Sequence, residues 1–415
     1  MKKTILCLAG ISMLSGGVFA QTPVSVQQKD SLAGVINTIT TAVPFLMIAP
    51  DSRSGGMGDV GAATSPDANS IHWNPAKLAF VEKNIGFAVS YTPWLRALVN
   101  DINLAYLSGY KKLGSDQAIG ISLLYFSLGN ITFTDQFGNV TGQFNPNEWA
   151  FDAAYSRKLG EDFSAGMALR YIYSNLTGGI GVSNTTSHAG QSVAADLSVY
   201  YRHQIEISGK KTMWSSGLNI SNIGTKISYT ETGTKDFIPT NFRVGTTFTT
   251  ELDEYNSFAF TLDANKLLVP SPPVYLKNVQ GGDSLTSNNE KIIAAGKDPN
   301  VGVTTAMFQS WSDAPGGFEE ELKEWTWSAG LEYWYDKQFA IRAGYFHEAS
   351  TKGNRQYFTV GAGLKYNVFG LDFAYLIPTA QRNPLESTLR FTLTFDFDGL
   401  KKEGSDNKDS ENNAE

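Results

Sequence analysis

Residues 387 to 398 read STLRFTLTFDFD, and apolar and polar positions alternate along them. Leu389, Phe391, Leu393, Phe395 and Phe397 fall on one face, with Arg390, Thr392, Thr394 and Asp396 on the other. A period of two is that of an extended strand whose faces meet different environments. The register recurs in Phe358, Val360, Ala362, Leu364 and Tyr366, in Trp325, Trp327, Ala329, Leu331 and Tyr333, and in Phe163, Ala165, Met167, Leu169, Tyr171 and Tyr173. Followed through the chain, it predicts about fourteen strands of roughly nine to twelve residues, lengths suited to a tilted membrane crossing. Their starts fall near Ile85, Ile102, Gln117, Trp149, Phe163, Val193, Lys211, Phe242, Ser257, Trp325, Phe339, Tyr357, Phe369 and Thr388.

The connections alternate as well. Short turns (KKLGSD, LGED, SGK, ELDEYN, YDKQ, NV) take turns with long segments near 129–148, 175–192, 221–241 and 266–324. Outer-membrane barrels join strands by short periplasmic turns and longer outer loops. The parity fits if both ends of the chain are periplasmic. A soluble propeller or sandwich would also alternate, but it would not explain short against long connections or aromatic strand ends such as Tyr91, Trp94, Trp149, Trp325 and Trp334. The expected fold is therefore all-β: a closed, antiparallel transmembrane barrel spanning residues 85–398.

If the apolar set faces lipid, the other set faces the lumen, and it is charged: Asp152, Arg170, Asp196, Arg202, Arg243, Asp263, Glu332, Arg342, Lys365, Arg390 and Asp396. Mixed signs at this density should pair with one another and with whatever plugs the bore. The filling expected is the segment before the first strand, PDSRSGGMGDVGAATSPDANSIHWNPAKLAF, whose small residues let backbone approach a wall closely. Within it Asn74 is placed to cap a short helix, with Pro75 at the first helical position. Such a helix is too short to stand alone. Trp73 and Phe80 are therefore expected to pack in the barrel mouth as part of an N-terminal hatch, within residues 21–84.

The ends and the composition narrow the setting. MKKTILCLAGISMLSGGVFAQ carries two lysines, an apolar stretch and a small-residue cleavage pattern, so residues 1–20 read as a signal peptide cut after Ala20. Cys7 lies inside it, which leaves the mature chain without cysteine. Losing Lys2 and Lys3 takes the net charge from −7 to −9, a poor balance for nucleic acid. Gly (40) and aromatics (12%) are plentiful and charge is low (18%), yet no mature segment has the run of apolar residues that a membrane helix needs. The tail 399–415, KKEGSDNKDSENNAE after Gly399 and Leu400, is polar and read as disordered and periplasmic.

A Ser-Arg-x-x-Gly-Met-Gly run from Ser52, the Asp67-Ala68 pair and then Asn74-Pro75-Ala76, ahead of this strand pattern, resemble the FadL family of outer-membrane barrels, whose hatch carries the Asn-Pro-Ala element. Within it, TAVPFLMIAPDSRSGGMGDVGAATSPDANSIHWNPAKLAF, WSDAPGGFEEELKE and EYWYDKQFAIRAGYFHE resemble the PorV family, barrels of the type IX secretion system in Bacteroidetes. That resemblance covers essentially the whole mature chain. It implies a non-enzymatic, multi-pass protein of the cell outer membrane, contacting its lipid. Such a barrel docks on the large secretion translocon, receives cargo through a C-terminal signal domain and passes it to the surface attachment (sortase) complex.

By motif, Arg53, Gly56, Gly58, Asp59, Asn74, Pro75 and Ala76 carry over as hatch positions beside Trp73, and a structural role is the simplest reading of them. Recognition would sit on exposed loops. Loop 175–192 offers Leu176, Ile180 and Val182; loop 266–324 holds APGGFEEELKEW, a turn into a short amphipathic helix with Phe318, Leu322 and Trp325 on one side. The same helix could simply cover the barrel rim. Glu319 to Glu321 read as a charged helix face.

The chief alternative is a FadL-type transporter of long-chain fatty acids or other hydrophobic molecules, which needs a mostly apolar pocket; the charged inner face speaks against it. No G-x-S-x-G string occurs, and His72, His188, His203 and His347 lack H-E-x-x-H spacing. No catalytic residue, cofactor or metal is expected.

Overall fold

The computed structural model describes residues 36–398 except 97–98, 100, 180–186, 232, 234, 279–281, 381–384 and 387. Residues 1–20, read as a signal peptide, and the C-terminal tail 399–415 lie outside the described residues. In chain order the strands are β1 (Ile85–Pro93), β2 (Ile102–Lys112), β3 (Gln117–Leu128), β4 (Ile131–Thr134), β5 (Val140–Phe144), β6 (Asn147–Lys158), β7 (Phe163–Asn175), β8 (Gly190–Ile207) and β9 (Lys210–Gly224). They continue with β10 (Asn241–Glu251), β11 (Asn256–Leu267), β12 (Val274–Tyr275), β13 (Ile293–Ala295), β14 (Trp325–Tyr335), β15 (Phe339–His347), β16 (Gln356–Tyr366), β17 (Phe369–Pro378) and β18 (Leu389–Phe397).

Fourteen of these close one antiparallel barrel, each strand pairing with its neighbours in the order of the chain and β1 sealing against β18. β4–β5 and β12–β13 are small hairpins inside long loops. Periodicity did not single them out, because strands of two to five residues carry too few alternations to register.

The exposure pattern is that of a barrel in lipid. On β1 it alternates exposed and buried residue by residue, and the exposed set is the greasy one: Phe87, Val89 and Tyr91 face out while Ala88, Ser90 and Thr92 face in. On β16 the outward residues are Phe358, Val360, Ala362, Leu364 and Tyr366. A water-soluble fold would bury those positions. Two of the expected aromatic strand ends turn inward instead. Trp94 packs against internal clusters beneath the long-loop rim, and the Arg342 guanidinium lies 5.4 Å from the centre of the Trp334 ring. Period-two parity explains this: Trp334 shares its face with the buried Glu332 and Ser328.

The segment before β1 fills the lumen lengthwise. At the long-loop end, Asn37 N–H donates to Thr351 O (3.0 Å) and Ala42 N–H to Phe237 O (2.9 Å). Below, Val43, Phe45 and Leu46 form the centre of an apolar cluster with Leu104, Tyr106, Leu124, Phe126 and Ile172 from the wall. The chain then turns through a helix at Ser52–Gly55, a second at Ser70–Trp73 and a 3₁₀ turn at Pro75–Phe80, reaching the short-turn end where β1 begins.

Candidate functional site

The hatch is held by the wall through groups that each satisfy a donor or acceptor stranded by leaving water. Asp51 caps the first helix, accepting from Ser54 N–H (2.9 Å), and its other oxygen accepts from the Trp73 indole (2.6 Å). Ser52 N–H reaches Thr392 Oγ1 and Gly58 N–H reaches Thr359 Oγ1, both at 2.8 Å. Asp263 on β11 accepts from Gly61 and Ala62 N–H at 2.7 and 2.9 Å. None of these anchors on the wall has a sequence signature of its own, since a polar residue pointing inward looks the same whether it meets water or a backbone.

Close approach is bought on both sides by glycine. Gly58 has φ +72, and a Cβ there would lie 2.7 Å from the Tyr345 backbone nitrogen. Facing it, a Cβ on Gly344 of β15 would overlap the Met57–Gly58 peptide. Gly56 lies against Gly361 in the same manner, a Cβ on it coming within 3.1 Å of that α-carbon.

Arg53 rests on Glu332 (2.8 Å), Asp67 (3.1 Å) and the Ser65 hydroxyl (2.6 Å). Asp59 accepts from Arg390 and from the Tyr357 hydroxyl, both at 2.6 Å. Trp73 is buried, its carbonyl taking a hydrogen bond from Asn219 Nδ2 at 3.2 Å. The Asn74 side chain accepts from Ala76 N–H (3.1 Å) and donates to Ala62 O (2.9 Å) and Val199 O (3.1 Å), tying the cap to both the hatch loop and β8. Pro75 opens the 3₁₀ turn, and Ala76 N–H also meets Ser198 Oγ at 3.0 Å. Phe80 sits at the short-turn end against Tyr200, with the Arg202 guanidinium 4.2 Å from its ring centre, whereas Trp73 lies deeper in the bore.

Strand register assembles the inner charges. Asp152 faces Arg170 across β6 and β7, Glu332 faces Arg342 across β14 and β15, and each pair closes to 2.6–2.8 Å. Asp196 joins the first pair at 3.2 Å and Asp372 the second at 2.6 Å. Lys365 meets Asp396 at 3.5 Å. The lumen is thus crossed by ion pairs and stoppered by the hatch.

The long-loop rim departs from the sequence expectation. Of the acids on the helix Phe318–Lys323 only Glu319 faces solvent: Glu320 and Glu321 are buried, while Phe318 and Leu322 are 76% and 54% exposed. Lys266 at the end of β11 binds Glu321 (3.0 Å) and Glu324 (2.6 Å); Lys352 binds Glu320 (2.6 Å) and Glu324 (2.9 Å). Two buried lysines that no motif flags therefore pull the acidic face inward and turn the apolar face out. Asp313 joins them through Ser271 N–H (3.1 Å), and burial beside Glu324 and Glu321 pushes its carboxyl up to about 6. Carboxylate oxygens of Asp313, Glu321 and Glu324 lie within 4.8 Å of one another, a spacing open to a cation, but the lysines already supply positive charge to the two glutamates.

Around the helix, Trp311, Trp325, Trp327 and Phe242 form a chain of edge and stacked contacts, and Phe308 is 76% exposed. Leu176 is half-buried at the end of β7; Ile180 and Val182 lie outside the described residues.

Under the same rim, a cavity of about 320 Å³ opens between the hatch and the wall, bordered by Trp73, Arg243, Asn265, Phe346, Glu348 and Tyr357 among others. Its lining mixes charged and amide groups with apolar ones, among them Ile39, Met47, Leu267 and Phe346.

Among solved structures, the chain is similar to the toluene transporter TodX of Pseudomonas putida (11% identity, TM-score 0.48, covering 88% of this chain and 100% of that one). It is similar too to the toluene transporter TbuX of Ralstonia pickettii (11%, 0.44, 84% and 98%) and to a FadL homologue of Pseudomonas aeruginosa (11%, 0.43, 87% and 99%). No curated protein matches it. The family model for the type IX secretion system protein PorV matches residues 32–274, more than half of the 415 residues, and it covers both the hatch and the first strands that hold it. A hatch-filled barrel with that match places this chain in the PorV family of type IX secretion system proteins.

Proposed function

We propose that the protein is a non-enzymatic outer-membrane component of type IX secretion, exported by the signal peptide ending at Ala20. It binds the translocon and the C-terminal signal domain of cargo, and hands that cargo to the surface attachment complex. The family match carries this reading. Its physical support is the stoppered lumen: a bore crossed by Arg53–Glu332 and Arg390–Asp59 pairs is no passage for a protein, which leaves the outer rim as the working surface. The apolar face of the helix Phe318–Lys323 and loop 175–192, with Leu176, Ile180 and Val182, are the proposed contacts there. The hatch motif from Arg53 to Ala76 is proposed to be structural.

The rival, a transporter of fatty acids or other hydrophobic molecules, would use the rim cavity as its pocket. That cavity sets Asp59, Arg243, Glu324, Glu348, Lys352 and Arg355 beside Ile39, Met47 and Leu267, so a greasy tail lying in it would desolvate several charges. Affinity purification from native outer membranes decides between them. The proposal expects co-purification of a much larger barrel and of exported proteins sharing a C-terminal domain. Recovery of the chain alone, with fatty-acid uptake lost on its deletion, would establish the transporter instead.

A further inference from the structure

Among the described residues, one buried guanidinium of the lumen has no carboxylate in contact. Arg53, Arg170, Arg342 and Arg390 each reach a carboxylate at 2.6–2.8 Å. Arg243, on β10, is 8% exposed, yet among the described residues no carboxylate oxygen lies within 4.0 Å of it. Its Nε donates to Asn265 Oδ1 (2.6 Å), and its plane covers the Trp73 ring at 4.4 Å. Those two contacts fix the orientation of the guanidinium, and its charge is met only from beyond contact distance, by Asp263, Asp59 and Asp196, which compensates burial weakly.

Arg243 borders the rim cavity, and the other charges there are already committed. Asp59 is bound to Arg390, Glu348 to Arg355 (2.7 Å), and Glu324 to Lys266 and Lys352. Arg243 is thus the one charged residue of this lining without an ionic contact, and it presents a planar fork whose geometry matches a carboxylate. A second group is also unsatisfied: Asn241, adjacent in the lining, has a buried Oδ1 that accepts no hydrogen bond. An anion and an N–H donor side by side are what the end of a polypeptide supplies. At about 320 Å³ the space suits a chain end and not a folded domain.

We propose that this cavity takes the C-terminal carboxylate of a polypeptide, Arg243 binding the carboxylate and Asn241 the terminal amide N–H. The inference rests on the reading that exported proteins are received at the outer rim. A fatty acid would satisfy Arg243 but leave Asn241 unpaired and lay its tail along Glu324 and Glu348.

The test is calorimetric titration of the full-length barrel in detergent with acetyl-trialanine as free acid, the same peptide as C-terminal amide, and decanoate. The free acid is expected to bind at least about tenfold more tightly than the amide, the scale of one charge-assisted bidentate contact. Arg243→Gln should erase that difference and Arg243→Lys retain part of it, with folding of each checked by heat-modifiable migration. Should Arg243→Gln not fold, Asn265→Asp supplies an internal counter-ion, and it should abolish acid–amide discrimination in a folded barrel. Equal binding of acid and amide, binding of neither, or Arg243-dependent binding of decanoate alone overturns the proposal. Those results leave the secretion reading standing as long as the wild-type barrel still captures the translocon; loss of that capture counts against the secretion reading instead.

Discussion

At the scale of single residues, stability in the lumen depends on charges that have no water to retreat to. Glu332 holds two guanidiniums, Arg53 from the hatch and Arg342 from the next strand. Glu332→Ala would leave both buried without it, and breaking a buried pair of this kind costs about 3–5 kcal/mol. The expected outcome is a clear fall in the urea midpoint of the purified barrel, while Glu319→Ala, on the solvent side of the rim helix, leaves the midpoint unchanged. Residue identities of this kind were half legible in the sequence. Alternation put Arg170, Glu332, Arg342 and Arg390 inside, because a one-residue slip would expose them to lipid. Which carboxylate each one meets was not legible, since that depends on cross-strand register and on a hatch reaching across hundreds of residues, as Asp59 does to Arg390.

Among elements, strands were readable and loops were not. Strand starts at Ile85, Ile102, Gln117, Phe163, Trp325, Phe339 and Phe369 coincide with the sequence reading, because each strand repeats the same two-faced pattern. The helix Phe318–Lys323 was expected from APGGFEEELKEW, but with its acids in water. Lys266 and Lys352, distant in sequence, reverse it. Two measurements address this element.

First, burial raises the Asp313 carboxyl from its ordinary 3.8 to about 6. A raised carboxylate pKa in the folded state means that the fold binds the proton more tightly than the unfolded chain does. The charged form thus weakens the rim above about pH 6, and the penalty is relieved as pH falls from 6 toward 3.8. Amide exchange in 310–324, corrected for intrinsic rates, should slow between pH 7.5 and 5.5, and Asp313→Asn should remove that dependence and protect the segment at pH 7.5. An unchanged profile in the variant would place the pH response elsewhere.

Second, the double change Phe318→Asp and Leu322→Asp touches only exposed positions. It is expected to leave barrel folding intact, within about 0.5 kcal/mol, and to reduce translocon and cargo capture several-fold. Capture at wild-type levels would remove this face from the contact surface.

For the whole molecule, the sequence conveyed the architecture because a closed barrel in lipid is specified by alternation and by loop lengths, both local properties. The hatch was legible as small residues with a capped turn, but its path was not: the described chain starts among the long loops, at Asn37 and Ala42, and descends through the bore to β1. That path makes the barrel a stoppered scaffold whose greasy wall faces outward, and it leaves the rim as the proposed recognition surface. Planar-bilayer conductance tests this most directly, comparing the intact chain with one lacking residues 51–80. The structure predicts no sustained conductance from the intact barrel and a stable open channel once the hatch is removed. Steady ion flow through the intact barrel, equal to that of the deletion, would contradict it.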